Sequence, residues 1–416
     1  MVPRMKVAII SAKFPFGPKE PYLEAEICAL SEYIEELTVI PTSPPRRKVR
    51  VADVPASIIR LPYVSVRAAS LAGHLALREP RAVWRALRSI LTPRTRLLVR
   101  LKNLAVFPKA LAVAEIVRRE RVDHIHSYWL STPSTVAYIA SQITKTPWSS
   151  TAHRWDIYEN NLAQAKAKSA SFVRIISRRG LSDFRKQIVP EHWERSIVLH
   201  LGINVPPDRA AHSLDGRSRP LTLLCAAALV PIKGHEVLLD ALARVRDAGV
   251  VVRCVLAGDG PRRKRIARLI RAQGLSTTVT MLSDVPHGVL LRQIQSGAYD
   301  GVVLPSLESD GGNMEGIPVA LMEGMAAGLP CIATDSGSIT ELLDASCGFV
   351  VPHGDSAALA KAIITLARDP KRGADLGAPA RRRIEEQYNA RHTAAVLSAL
   401  LRRPAMLQEH PPQLAS

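Results

Sequence analysis

Cysteine is scarce in this chain. Five are scattered over 416 residues, at Cys28, Cys225, Cys254, Cys331 and Cys347, and no two form a C-x-x-C pair. That pattern excludes a disulfide framework and argues against a zinc site. Cys225 in LTLLCAAALV and Cys254 in VVRCVLAG read as small buried hydrophobes in a reducing compartment. Aromatic residues are only 5% of the chain against 47% hydrophobic residues overall. The cores must therefore be built from Ala, Val, Leu and Ile, which suits parallel sheets covered by helices on both faces. Acid is in short supply too: 37 Asp and Glu face 56 Lys and Arg, for a formal net charge of +19. Such a field attracts nucleotides, nucleic acid or an anionic membrane and does not choose among them. No uninterrupted apolar run approaches the roughly 18 residues that cross a bilayer. The opening MVPRMKVAIISAKF has a basic flank but too short an apolar stretch for a leader peptide. The expected setting is the cytoplasm, with a seat on a membrane surface left open.

The length suits two domains of about 100–200 residues each. KVAII (from Lys6), ELTVIPT and VDHIHS (near Val122) read as strands, each followed sooner or later by a helical pattern such as the one starting near Leu23. Residues 204–220, NVPPDRAAHSLDGRSRP, are rich in Pro, Asp, Arg and Ser and read as a linker between domains. The strand–helix alternation then restarts with LTLLCAAA, HEVLLDALARVRDAG, VRCVLAGDG and PRRKRIARLIRAQG. VTML, a helix near 289–295, GVVLP, VALMEGMAAG, PCIAT and FVV complete it. The fold class is α/β, with βαβ units wound into two parallel sheets. The expected domains are 1–203, 221–378 and a helical segment 379–403, with an unstructured tail at 404–416.

The most informative stretch is Leu304 to Leu343, LPSLESDGGNMEGIPVALMEGMAAGLPCIATDSGSITELL. A strand ends in a polar, Gly-rich loop, and a helix begins after Pro318, which suits a first helical turn. The free N–H groups there, backed by the helix dipole, make an anion site at the strand's C-terminal edge, where open α/β sheets bind ligands. Glu315 lies in the loop. Glu323 is set in a small, apolar helix and needs a partner or a ligand hydroxyl.

This stretch resembles the signature of glycosyltransferase family 4, a retaining group. Its GT-B fold implies two Rossmann-like domains facing across a cleft, with a C-terminal helix crossing back. Glu315 and Glu323 stand at the family's spacing, with seven residues between them, and DGGNMEGIPVALMEGMA is similar to the branch that builds colanic-acid-type exopolysaccharides. The resemblance implies that Glu315 faces the donor sugar near its reacting carbon and that Glu323 bonds the ribose hydroxyls. It puts the backbone amides of Gly316 and Ile317 against the donor. LVPIKG matches the family's lysine motif, which puts Lys233 on the donor diphosphate. LSDVPHGVL is similar to the segment that reads the nucleobase, which implies a contact from Val285. TAHRWDIYE resembles the histidine motif and implies His153 at the interdomain cleft. FPFGPKEPYLEAEI is similar to the loop that closes over the donor. Gly17 there stands where many relatives have a glycine pair, and Glu20 and Tyr22 are candidate contacts. HIHSYWLS is expected to expose His126, Ser127 and Trp129 at the same edge.

One departure stands out. The family usually carries an arginine five residues before the lysine, and this chain has Ala228. Either another basic group stands in for it, or the clamp is weaker, or turnover is impaired; a non-catalytic nucleotide-sugar binder is the alternative that follows. The resemblance implies a UDP- or GDP-sugar donor, a glycan or lipid-linked saccharide acceptor, and no metal or other cofactor. No RNP, helix-turn-helix or zinc pattern appears, so nucleic acid is not an expected partner. From Arg60 to Arg119, thirteen basic residues face two acids. Arg78, Arg81, Arg85 and Arg88 share one helical face, and Val83, Trp84, Leu87, Ile90 and Leu91 another. That pattern predicts a helix lying on an anionic membrane, on the inner face of the cytoplasmic membrane.

Overall fold

The computed structural model describes residues 4–16, 20, 22–44, 53–62, 65–93, 95–207, 219–283, 285–309 and 314–404. The chain divides into two compact units, Met1–Gly202 with Ala390–Ser416, and Ile203–Asn389.

The first unit is built on strands β1 (Lys6–Ser11), β2 (Glu36–Pro41), β3 (Ser57–Ile58), β4 (His124–Tyr128), β5 (Trp148–Ala152), β6 (Phe172–Ile175) and β7 (Ser196–Val198). They form one parallel sheet in the order β3-β2-β1-β4-β5-β6-β7. Successive residues of β1 face opposite cores, Ala8 and Ile10 one and Val7 and Ile9 the other, as the pleat requires. The first core is closed by the packed helices Leu97–Arg119 and Thr132–Thr144, the second by Tyr22–Leu30 and Ala390–Arg402. The last helix is tied down by Arg402, which bonds the Tyr33 carbonyl at 2.7 Å and the Glu35 carboxylate at 3.1 Å.

The second unit carries β8 (Leu221–Ala226), β9 (Val252–Ala257), β10 (Val279–Leu282), β11 (Gly301–Leu304), β12 (Cys331–Thr334) and β13 (Phe349–Val351). Their order, β10-β9-β8-β11-β12-β13, is the Rossmann order, and every pairing is parallel. The winding reverses between β8 and β11, and in the first unit between β1 and β4. Such switch points leave a crevice at the carboxyl edge of the sheet.

Three expectations need correction. The chain leaves the first unit at Gly202, before the predicted linker. Ile203 already bonds the Tyr388 carbonyl (2.8 Å), and Arg381 holds the Pro206 carbonyl (2.7 Å), so 203–207 belong to the second unit. Residues 208–218 and the tail from 405 lie outside the described residues. The predicted 379–403 segment is also two things. Pro370–Gln387 packs on helix Val319–Ala326 of the second unit, and only Ala390–Arg402 belongs to the first. Finally, on helix Pro80–Leu91 the inner face is Val83, Ala86, Leu87 and Ile90, packed on the first unit's core, while Trp84 points outward with the arginines. Among the described residues, no helix is long and apolar enough to cross a membrane.

Candidate functional site

At the carboxyl edge of the second unit's sheet, the loops after β8, β11 and β12 interlock. The chain after β8 makes one tight turn, Pro231–Lys233, ended by Gly234 at φ 62°. A Cβ on Gly234 would lie 1.8 Å from the Pro305 carbonyl oxygen, so only glycine lets the two loops touch there. The Leu307 N–H donates to the Ile232 carbonyl at 2.8 Å and locks the same contact. Lys233 is thereby aimed across the loop: its Nζ donates to Glu315 Oε2 at 2.5 Å, and Ser306 Oγ donates to the same oxygen at 2.8 Å.

Glu315 is held by its backbone as well. Its N–H donates to Ser336 Oγ (3.3 Å) and its carbonyl accepts from the Ser338 N–H (3.2 Å). Gly337, at φ 62°, presses against it; a Cβ there would be 1.9 Å from the Glu315 carbonyl oxygen. Gly316 is open, with no atom within 4 Å of where a Cβ would stand, so its backbone is free to meet a ligand. Ile317 by contrast is buried in the core. Pro318 is the extended cap rather than the first helical residue, and Val319–Ala326 follows it. The Leu321 and Met322 N–H groups close on the Pro318 carbonyl at 3.1 and 3.2 Å, while the N–H groups ahead of them have no acceptor within an α-helix. Gly324 lets the helix lie close on the sheet, since a Cβ there would stand 2.5 Å from Val302 Cγ2.

Glu323 lies one turn into this helix with its side chain only 8% exposed, and His287 Nε2 sits 2.5 Å from its Oε1. A solvated helix face is therefore excluded for Glu323. Among the described residues each of the two glutamates has one basic partner, Lys233 for Glu315 and His287 for Glu323. Val285 is half-buried against the same core. The AGDGP turn is structural: Gly258 and Gly260 let the loop after β9 lie against the carbonyls of Ala227 and Leu229. Ala228 is exposed. The Arg262 N–H bonds the nearby Leu229 carbonyl at 3.0 Å, but its guanidinium turns to Glu236 at 2.5 Å.

In the first unit, the tips of β1, β4 and β5 assemble a second set. His153 is extended at the end of β5 and caps helix Arg154–Glu159. The Asp156 carboxylate accepts from the His153 N–H (2.7 Å) and from the Leu130 N–H, joining two strand ends. Burial pushes the Asp156 carboxyl up to about 7. The His153 ring stacks on Trp129, centroids 4.2 Å apart, and lies 5.5 Å from Tyr22. Among the described residues neither of its ring nitrogens has a hydrogen-bond partner, and burial pulls its pKa down to about 3. A neutral buried imidazole with both nitrogens unsatisfied fits a neutral polar ligand group, not a second charge. Tyr22 Oη is likewise buried without a partner.

Other candidates of the first unit serve the fold. Glu20 accepts from Trp129 Nε1 (2.5 Å) and from the Lys13 and Phe14 N–H groups (2.9 and 2.8 Å), so its carboxylate organises the loop after β1. His126 and Ser127 are buried rather than exposed. His126 is bonded to Ser149 Oγ at 2.7 Å and Thr151 Oγ1 at 2.9 Å, and Ser127 to Ser150 at 3.0 Å, because the β4–β5 interface is itself polar. Gly17 lies outside the described residues. Sequence reasoning missed His287, Ser306 and Ser336; LPS directly after a buried strand was the one available signal for Ser306.

Residues 210–383 match the family model for glycosyl transferases group 1. The putative colanic acid biosynthesis glycosyltransferase WcaL of Escherichia coli K12 is 34% identical over 187 residues, 44% of this chain and 46% of the relative. A GDP-mannose-dependent monoacylated alpha-(1-6)-phosphatidylinositol monomannoside mannosyltransferase of Corynebacterium glutamicum is 26% identical over 298 residues, 67% of this chain and 76% of that one. The chain spans about half the length of the colanic acid and amylovoran relatives it matches. Among solved structures, Anabaena Alr3699/HepE in complex with UDP superposes with a TM-score of 0.68 at 19% identity, covering 96% of this chain and 100% of that one. The fold shared with these structures is GT-B, with a Rossmann-like sheet in each unit.

Proposed function

We propose that the chain is a retaining, metal-independent glycosyltransferase that moves a sugar from a UDP- or GDP-sugar to a glycan or lipid-linked saccharide in envelope or exopolysaccharide synthesis. One observation carries the reading: Lys233 and Glu315, 82 residues apart in sequence, meet beside a helix start whose first turn leads to the buried Glu323. Lys233 and the free amides of that helix suit a diphosphate. Glu323 suits the ribose hydroxyls and Val285 the base, with Gly316 and Ile317 offering backbone to the donor. The neutral His153 suits a sugar hydroxyl.

In the proposed step the bond from the anomeric carbon to the diphosphate oxygen breaks as the acceptor oxygen approaches on the same face. The acceptor's proton passes to the departing phosphate oxygen. Glu315 stabilises positive charge developing at the sugar, and Lys233 stabilises the negative charge left on the diphosphate. No protein nucleophile is needed. The relatives' names supply both bases, GDP in one and UDP in another, so the donor panel includes both. The acceptor's lipid would seat the enzyme on the inner face of the cytoplasmic membrane.

The test is incubation with a panel of UDP- and GDP-sugars, following nucleotide release by mass spectrometry. Release from at least one donor, lost in Lys233→Ala, supports the proposal. Tight UDP or GDP binding with no donor turned over, with or without acceptors, favours a non-catalytic binder and would defeat it.

A further inference from the structure

Helix Leu97–Arg119 has two faces that do different jobs. Its inner face is fully engaged: Val99 and Val106 are buried, and the Asn103 side chain bonds Asn161 at 2.9 Å and Thr135 at 3.0 Å. Lys102 pairs with Glu159 at 2.6 Å. The helix is therefore pinned, and its outer face is outward by construction. That outer face is apolar. Leu97, Leu98, Leu101 and Leu104 are 70%, 64%, 53% and 37% exposed, and together they leave more than two leucines' worth of surface in water. Spacing of one, three and four residues puts them on one stripe. Apolar stripes of this kind on a surface mark an interaction site.

Charge says what covers it. From Pro80 to Ala114 the chain contains no acidic residue. The helix just before, Pro80–Leu91, packs against Leu97–Arg119 and exposes Arg81, Arg85 and Arg88 around a Trp84 that is 60% exposed. A second copy of this chain would bring arginine against arginine. A surface with anionic headgroups over an apolar interior fits both elements at once: arginines and an interfacial indole at headgroup depth, leucines below it.

We infer that the first three turns of helix Leu97–Arg119 insert into an anionic phospholipid bilayer, held there by the outer face of Pro80–Leu91. The sequence pattern assigns insertion to Val83, Leu87, Ile90 and Leu91, but those side chains are spent on the core. The inference deepens the membrane seat proposed above and rests on it.

Flotation of the full chain with phosphatidylcholine vesicles, with and without phosphatidylglycerol, tests it. Wild type is expected to float with the anionic vesicles, partly released by high salt. Leu97→Ser, Leu98→Ser and Leu101→Ser together should lower the partition coefficient by about 100-fold and abolish the salt-resistant fraction. Arg81→Glu, Arg85→Glu and Arg88→Glu together should abolish the salt-sensitive part. A single Leu101→Cys in a Cys28→Ser background, labelled with an environment-sensitive fluorophore, should shift to the blue on vesicles even if the triple variant folds poorly. Wild type that ignores anionic vesicles overturns the membrane seat itself. Wild type that binds while the leucine variant binds equally, with no blue shift at Leu101→Cys, overturns only the insertion. A self-association in lipid-free sedimentation that the leucine variant dissolves also overturns it, because the stripe then belongs to a second copy. Binding of UDP or GDP, measured alongside, should be unchanged in every variant and keeps this test separate from that of glycosyl transfer.

Discussion

Substituting Glu315→Gln separates donor binding from chemistry. Glu315 shares one oxygen between Lys233, at 2.5 Å, and Ser306, at 2.8 Å. A diphosphate arriving at Lys233 must compete with that carboxylate. At about 3 Å and an effective dielectric near 20 the gross attraction is roughly 5 kcal/mol. The pair is only partly buried, and desolvation and side-chain ordering offset most of that, leaving a net of about 1 kcal/mol. Glutamine keeps the shape and one oxygen to accept from Ser306, but removes the competing charge. The affinity for UDP or GDP without sugar should therefore hold or tighten, by up to about fivefold for 1 kcal/mol. Turnover should fall by about 100- to 1,000-fold, the usual loss when a group that stabilises transition-state charge is removed. Calorimetry with UDP and GDP gives the first number, and single-turnover release from a donor found in the panel gives the second. Nucleotide affinity weakened more than tenfold with turnover intact would refute the reasoning. Glu315 would then serve only to aim Lys233.

Glu323→Ala removes a buried carboxylate paired with His287, and it should weaken UDP or GDP binding by about 1–3 kcal/mol with the fold retained; unchanged affinity by calorimetry would refute the ribose assignment. Turnover should persist in EDTA, because Lys233 and helix amides are proposed to supply the positive charge; loss in EDTA with recovery on magnesium or manganese would refute it. Stability should fall as pH drops below 6.5, because burial lowers His124 and His153 to about 3, His235 to about 4 and His126 well below its usual value, so the unfolded chain takes up protons that the folded chain refuses. At pH 5 each such group costs about 2 kcal/mol at most, less where His124 and His126 share Ser149 and with Asp156 opposing, and a urea midpoint equal at pH 7.5 and pH 5 would exclude it.

The second unit was legible because its strands are short apolar runs bounded by turns, and because its chemistry is packed into forty consecutive residues. Glu323 in VALMEGMAAG is a charge in an apolar helix, and the structure buries it. Lys233 is different. Nothing local marks it: only the resemblance ties it to Glu315, and the contact depends on Gly234 and Pro305 meeting across the crevice. The first unit was read more poorly. WSSTA carries too few apolar residues to announce a strand, and FVRI and SIV are only four and three residues long, yet β5 and β6 are buried throughout. Their polar side chains satisfy one another across the ladder, Ser149 with His124 and His126, Ser150 with Ser127, and Thr151 with His126. A pattern reader counts such residues as exposed, and that is why His126 and Ser127 were expected at the surface.

The same limit applies to charge. A net charge of +19 invites the view that every cation faces a partner. Several do not. Arg174 is buried in the first unit, paired with Glu26 and bonded to the carbonyls of Leu199 and His200. Lys166 holds the Leu130 and Ser131 carbonyls, and Lys109 those of Pro41, Thr42 and Leu61, where burial draws its pKa down to about 7. These three cations staple strand ends together and are closed to any ligand. Arg118 and Arg119 are turned to Glu79 and Glu115. Removing such internal cations from the account leaves exposed ones on Pro80–Leu91, beside the leucine stripe, and on helix Arg263–Ala272 of the second unit, where Lys264, Arg265, Arg268 and Arg271 face water. The sign of the charge was therefore readable from composition, but its address required burial. Once burial is known, the basic helix and the apolar helix prove to be two neighbouring elements rather than two faces of one.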